Sequence, residues 1–220
     1  MTGPTPRAEV DDERRSTRKR AAILQAATTV FLRNGYLGSS MDEIAGLAEV
    51  SKQTVYKHFV DKERLFVEIV TSAVNEVSDR VYEEVLDLPD SGDPESDLRD
   101  LARRQLARVM QPQLLELRRL VIAEASRFPE LGQTFYERGP GRTIAALASA
   151  FERLAAHGVL RLEDPALAAA QFNWLIMSAP INQAMFLGRD GIPTRADLNS
   201  HADAGVRAFL AAYRSDPPDE

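Results

Sequence analysis

The chain of 220 residues contains no cysteine, so neither a disulfide nor thiolate chemistry enters any account of it. Its three histidines, His58, His157 and His201, form neither HExxH nor any other recognisable metal spacing, and no metal or cofactor is expected. No apolar run approaches the roughly 18 residues that span a bilayer, and the N-terminus has no apolar signal core, so a cytoplasmic location is expected. No segment alternates apolar and polar residues over a useful length, and nothing repeats internally, which leaves an all-α fold. The one glycine-rich stretch, Gly139-Pro140-Gly141-Arg142-Thr143, lacks the preceding strand and the Lys-Ser/Thr pair of a phosphate loop. It reads as a helix break. With no catalytic constellation in view, an enzyme is not expected; a helical protein-interaction dimer without DNA binding is the other alternative.

A further absence turns the reading positive: from Val50 to Val60 there is no carboxylate. Residues 40–59, SMDEIAGLAEVSKQTVYKHF, read as two short amphipathic helices joined by one tight turn. Ser40 is an N-cap and Glu43, three residues on, has the spacing of a capping box. Ile44, Leu47 and Ala48 give this helix its apolar face. Ser51 caps a second helix that buries Val55 and Phe59, an i, i+4 pair. Lys52, Gln53, Tyr56 and Lys57 share the opposite face. Long donors without acids on an exposed helical face suit a major groove lined by phosphates. Upstream, Ile23, Leu24, Ala27, Val30 and Phe31 form a helical stripe ending at Asn34-Gly35, where glycine can take a left-handed C-cap. Downstream, residues 61–66 begin a fourth helix.

Residues from about 18 to 66 resemble the DNA-binding domain of TetR-family transcriptional regulators. The resemblance rests on Ile23-Leu24-x-Ala26-Ala27-x-x-Val30-Phe31-x-x-x-Gly35-Tyr36, then Ser39-Ser40-x-x-x-Ile44-Ala45-x-x-Ala48-x-Val50-Ser51, then Val55-Tyr56-x-x-Phe59-x-x-Lys62. Arg118 to Pro140, RRLVIAEASRFPELGQTFYERGP, is similar to the C-terminal regulatory domain of the AefR-like branch of that family. The resemblance implies that Ser40 holds a phosphate and that Lys52, Gln53 and Thr54 face base edges. It implies that Tyr56 and His58 bond phosphates on either side of the groove, and that Lys62 clamps another. Gln53 is the base reader of choice, because its amide matches N6 and N7 of adenine. Two residues depart from the family pattern. Glu49 stands where glycine is common and is expected at positive φ, at a cost of about 1 kcal/mol; Lys57 stands where many relatives have an aromatic and adds a phosphate contact.

The net charge of −6 is unevenly spread: residues 1–64 carry +2 and the remainder −8, with all four lysines in the first part. An acidic body behind a mildly basic head directs DNA to one face. Residues 1–13 lack periodicity and read as a disordered tail. Residues 14–61 form the helix-turn-helix domain, opened by the basic run Arg14, Arg15, Arg18, Lys19 and Arg20, which is either a solvated helix start or an arm on the DNA. Residues 62–214 form a helical ligand-binding and dimerisation domain, and 215–220 a loose tail. Helices are expected at 62–86, 98–110, 113–126, 129–138, 142–157, 165–187 and 194–214, with a turn-rich loop at 87–97.

Residues 165–187 are apolar on nearly every face, with Pro180 expected to kink them, and so need cover from a partner subunit. The resemblance implies that the last two long helices pair into a homodimer, which sets two recognition helices roughly 34–36 Å apart on a palindromic operator. It also implies a small-molecule effector of the C-terminal domain that releases a repressor from DNA by shifting the fourth helix. Candidate lining residues are Met110, Leu117, Val121, Phe128, Phe135, Phe151, Phe172, Trp174 and Met177, with Glu124, Gln171 and Asn173 as polar candidates.

Overall fold

The computed structural model describes residues 6–86, 88 and 93–215, with side chains from residue 13 onward except that of Leu86. Among these residues the elements are helical, with one isolated antiparallel bridge between Leu160 and Arg214. Contacts within the chain fall into two compact units that divide between Ser72 and Ala73.

The N-terminal unit begins with α1, Pro6–Gly38. The sequence reading left residues 1–13 disordered, yet the helix already runs from Pro6. Proline suits a first helical position, and the acids and arginines that follow are ordinary helix formers. Gly35, at φ 71° and ψ 175°, breaks α1 as its sequence position suggests, and one more turn follows it. Next come α2, Met41–Leu47, and α3, Lys52–His58, joined by the tight turn in which Glu49 sits at φ 54°. α4, Lys62–Leu86, continues from this unit into the next. Its first turns bury Leu65, Phe66, Ile69 and Val70, so the compact unit extends past the expected boundary at residue 61. Phe66 lies 5.2 Å from Phe31 and 5.1 Å from Tyr36, ring centroid to centroid.

The C-terminal unit adds α5, Pro94–Val109; α6, Pro112–Glu124; α7, Pro129–Tyr136; α8, Arg142–Ala156; α9, Pro165–Leu187; and α10, Arg195–Tyr213. Asp93 caps α5, accepting from the Ser96 N–H at 3.1 Å, so that helix starts inside the stretch read as loop. Residues 87 and 89–92 of that stretch, and 216–220 of the tail, lie outside the described residues. The Gly139-Pro140-Gly141 segment was read as a helix break. Instead Glu137–Gly141 form a π-helical turn that carries α7 on into α8. The wider ladder accommodates Pro140, which has no N–H to donate. α9 runs through Pro180, which is buried. Against α9, Gly205 of α10 brings the backbones close: a Cβ there would lie 3.1 Å from Ile176 and 3.4 Å from the Leu175 carbonyl oxygen. The core gathers Phe151, Phe172 and Phe209, whose ring centroids lie within 5.4 Å of one another.

Candidate DNA-binding face and ligand cavity

In the N-terminal unit, Val55 and Phe59 are buried, which fixes the rotation of α3 and turns Lys52, Gln53, Tyr56 and Lys57 to solvent. Ser51 caps the helix: its hydroxyl oxygen accepts from the Thr54 N–H at 3.1 Å and shares a 2.8 Å hydrogen bond with the Thr54 hydroxyl. Thr54 is half-buried and tied back to the cap, so its side chain stands further from the outer face than those of Lys52 and Gln53. Among the described residues, no partner lies within hydrogen-bond distance of the Gln53 amide.

The carboxylate-free stretch gains an acid through folding. Asp42 of α2 pairs with the Lys52 ammonium at 2.6 Å, and that hydrogen bond, followed by the attraction of the charge, raises the Lys52 pKa. Both partners are exposed, so the pair contributes little to stability. Its effect is positional, holding Lys52 beside the turn. Ser40 caps α2 as expected, accepting from the Glu43 N–H at 3.1 Å. The Glu43 carboxylate, expected to complete a capping box, is taken by the Asn34 amide at 2.9 and 3.0 Å and by Arg33. It thereby ties α2 to the end of α1.

Lys62 was expected to face a phosphate. Its half-buried ammonium donates to the carbonyls of Tyr36 and Ser39, each at 2.8 Å, and lies 4.5 Å from the centroid of the Tyr36 ring. This lysine pins the α1–α2 junction and so sets the position of Ser40. His58 is half-buried; burial, then the positive charges of Lys57, Arg20 and Lys19, push its pKa below the usual 6.5. Arg20, whose guanidinium lies over the Phe59 ring and pairs with Glu68, belongs to an exposed helical run from Arg14 to Arg20. The basic run is therefore the body of α1 rather than an extended arm.

The C-terminal unit holds a narrow cleft between α4, α5, α6, α7, α8 and α9. Of the expected lining residues, Phe135, Trp174, Met177 and the polar Asn173 face it. Phe151 and Phe172 belong instead to the aromatic core with Phe209, and Met110, Leu117 and Val121 are packed inside without reaching the cleft. Phe128 sits at the start of α7 with Arg127 over its ring. Neither Glu124 nor Gln171 lines the cleft, and Gln171 is exposed and accepts from the Tyr213 hydroxyl. Large apolar residues at helical spacing look the same in a core and in a cavity wall, and only packing separates them.

Sequence reasoning missed the α4 wall, Val74, Val77 and Val81, although their i, i+3, i+7 spacing marks one helical face. It also missed Gln105 and Arg118; Gln105 continues the buried stripe of Leu98, Leu101 and Ala102 at i+7, and a polar residue on that apolar face was the available signal. Gln105 and Asn173 are each 3% exposed and bonded to each other at 3.3 Å. Arg118 lies with its guanidinium 5.4 Å from the Phe135 ring centroid, and burial lowers its pKa.

Comparison with known proteins agrees with both halves. Residues 23–69 match the family model described as bacterial regulatory proteins, tetR family, and residues 96–215 match that of the AefR-like transcriptional repressor C-terminal domain. A TetR-family transcriptional regulator from Mesorhizobium loti is 46% identical in sequence, with a TM-score of 0.83 over 91% of this chain and 98% of that one. The flavonoid-responsive regulator FrrA is 34% identical, with a TM-score of 0.71 over 92% of this chain and 100% of its own. Among curated proteins, the HTH-type transcriptional regulator YhgD of Bacillus subtilis is 42% identical over 65 residues, which are 30% of this chain and 34% of that protein. The repressor NicS of Pseudomonas putida is 33% identical over 84 residues, 38% of each chain. The chain thus spans little more than a third of the curated relatives it matches, and nearly all of the two structural ones. Transcriptional regulators make up these matches, which support neither an enzyme nor a module without DNA binding. Among the described residues, no helix is long and apolar enough to cross a membrane. With the matched C-terminal model covering more than half of its length, this chain belongs to the TetR family of transcriptional regulators, in the AefR-like branch.

Proposed function

We propose that the chain is a dimeric repressor that reads a palindromic operator through α3 and is released by a small, largely apolar ligand in the C-terminal cleft. The observation that carries the reading is the outer face of α3: Gln53, Tyr56 and Lys57 are exposed on a helix whose inner face is locked by Val55 and Phe59. Gln53 reads a base, Lys52 lies alongside it, and Ser40, Tyr56, Lys57 and His58 meet phosphates. Lys62 joins the phosphate set from the turn that its bonds to the Tyr36 and Ser39 carbonyls hold. Thr54 acts mainly through the Ser51 cap.

Dimerisation is assigned to α9 and α10. On α9, Leu167, Trp174, Leu175, Phe186 and Leu187 are exposed, more apolar surface than a lone subunit keeps open to water. Coupling is assigned to α4, a single helix that begins at Lys62 and carries Val74, Val77 and Val81 in the cleft wall. A ligand that spreads this wall favours the form in which the two recognition helices no longer match successive major grooves, with a coupling of about 1–3 kcal/mol.

Fluorescence anisotropy with the DNA upstream of the chain's own gene tests the reading. Tight binding that weakens steeply with salt is expected. Gln53→Ala should relax preference at one base pair, a loss of about 1–3 kcal/mol in discrimination. Equal loss on every sequence would remove Gln53 from the base-reading role, and indifference to all DNA would sink the proposal.

A further inference from the structure

Two polar side chains in the cleft are difficult to explain as parts of a core. The first is Gln105. It is 3% exposed, its amide nitrogen donates to Asn173, and its buried carbonyl oxygen has no hydrogen-bond partner among the described residues. A buried acceptor without a donor is destabilising, and reversing the amide would only move the vacancy to its other end. The second is Arg118. It is half-buried, and among the described residues no carboxylate lies within ion-pair distance of it. Its visible contact is the face of Phe135, a weak partner for a partly desolvated cation. Both residues line the same cleft, whose remaining wall is mostly apolar, with Trp174 and Met177 among its residues.

We infer that the cleft takes an amphipathic organic acid: a slender aryl or alkyl body whose anionic group pairs with Arg118 and whose hydroxyl or N–H donates to Gln105. The inference rests on the ligand-responsive reading above and narrows its effector from any apolar molecule to one with a negative charge and a separate donor. Each polar wall residue then acquires the partner that the folded chain leaves out. The anion balances a half-buried positive charge, and the donor satisfies a buried carbonyl. The apolar body contributes area but little selectivity. A purely apolar effector would leave both vacancies in place. A cationic effector would meet Arg118 as a like charge in a low-dielectric site.

The test uses the purified full-length chain and two matched trios of probes. One is para-coumarate, its methyl ester and cinnamate; the other is omega-hydroxydecanoate, its methyl ester and decanoate. Within each trio the ester removes the charge and the last member removes the hydroxyl. Isothermal titration should show at least one hydroxy acid binding about 10–100-fold more tightly than its ester, as expected for a charge-assisted hydrogen bond. The matching acid without the hydroxyl should bind about fivefold more weakly, as expected for one neutral hydrogen bond. Arg118→Met should erase the preference for acid over ester, and Gln105→Leu the preference for the hydroxyl.

Thermal unfolding without ligand provides an independent measure. Arg118→Met removes a half-buried charge without an ion-pair partner and should raise Tm slightly; a lower Tm would make Arg118 a structural residue and overturn the assignment. Esters binding as well as acids, or no acid binding up to about millimolar concentration, would overturn it too. DNA affinity of the unmodified chain, measured with and without the tightest acid, separates the two claims. An acid that binds with the stated selectivity but leaves DNA affinity unchanged supports the ligand assignment and sinks the effector role.

Discussion

In the N-terminal unit, Phe31, Tyr36 and Phe66 close on one another with ring centroids within 6.0 Å, and the helix that faces outward is left to Gln53, Tyr56 and Lys57. In the C-terminal unit the aromatics divide. Phe151, Phe172 and Phe209 form a second closed cluster, while Phe135 and Trp174 stand at the wall of open space with Arg118 and Gln105. One unit thus concentrates its apolar groups to hold a reading surface still. The other withholds part of them from its core, which leaves room for a guest. A rigid reader and an incompletely packed sensor are what coupling between DNA and an effector requires, since the bistable element must lie in the less tightly packed part.

The contrast can be broken by truncating aromatics. Phe66→Ala and Phe172→Ala should each cost about 3–5 kcal/mol, the first with loss of DNA binding, whereas Phe135→Ala at the wall should cost about 1 kcal/mol. Urea titrations of the three variants measure this. A loss for Phe135 as large as that for Phe172 would mean that the wall is ordinary core. Next in size, Lys62→Met removes charge-assisted bonds to two carbonyls and should lower stability by about 2–3 kcal/mol, read as an earlier melt of the N-terminal unit. A variant with unchanged stability and weaker DNA binding would make Lys62 a phosphate ligand alone. Glu49→Gly relieves the positive φ in the turn and should stabilise by about 0.5–1 kcal/mol, seen as a small rise in urea midpoint.

The smallest effect is a pH dependence. His58 resists protonation in the folded chain, so the stability it confers is present above pH 6.5 and is lost as pH falls through its lowered folded pKa. His58→Gln should flatten that acid limb, as followed by melting temperature against pH. Operator phosphates favour the imidazolium, so DNA binding should take up a proton and strengthen as pH falls in the native chain but not in the variant. A pH-independent DNA affinity would remove His58 from the phosphate contacts.

Much of this was legible in the residues. The ends of α4 and α9 follow from unbroken apolar spacing, and the caps at Ser40 and Ser51 from local side-chain chemistry. The positive φ of Glu49 was legible only through the resemblance, since that residue stands where the family commonly has glycine. Interactions that depend on chain return were not legible. Asp42 reaches Lys52 only after α2 folds beside α3, and Lys62 finds the Tyr36 and Ser39 carbonyls across more than twenty residues of chain. The residues that separate cavity from core, Phe135 against Phe172, are chemically identical and differ only in what surrounds them.

The π turn at Glu137–Gly141 has an evolutionary consequence. It holds one residue more than an α-helical turn needs, and its Gly139 faces Val74 so closely that a Cβ would lie 3.3 Å from that side chain. The wider turn absorbs that residue, so deleting it would let the turn relax to α-helical with α8 close to its present rotation, whereas deleting one from α8 itself would rotate everything beyond it by about 100°. Because α8 carries Thr143 at the cleft and Phe151 in the core, such a deletion would strike recognition and folding together. A change of one residue in length is therefore better absorbed at this turn than within α8, which fixes where descendants of this chain can vary in length.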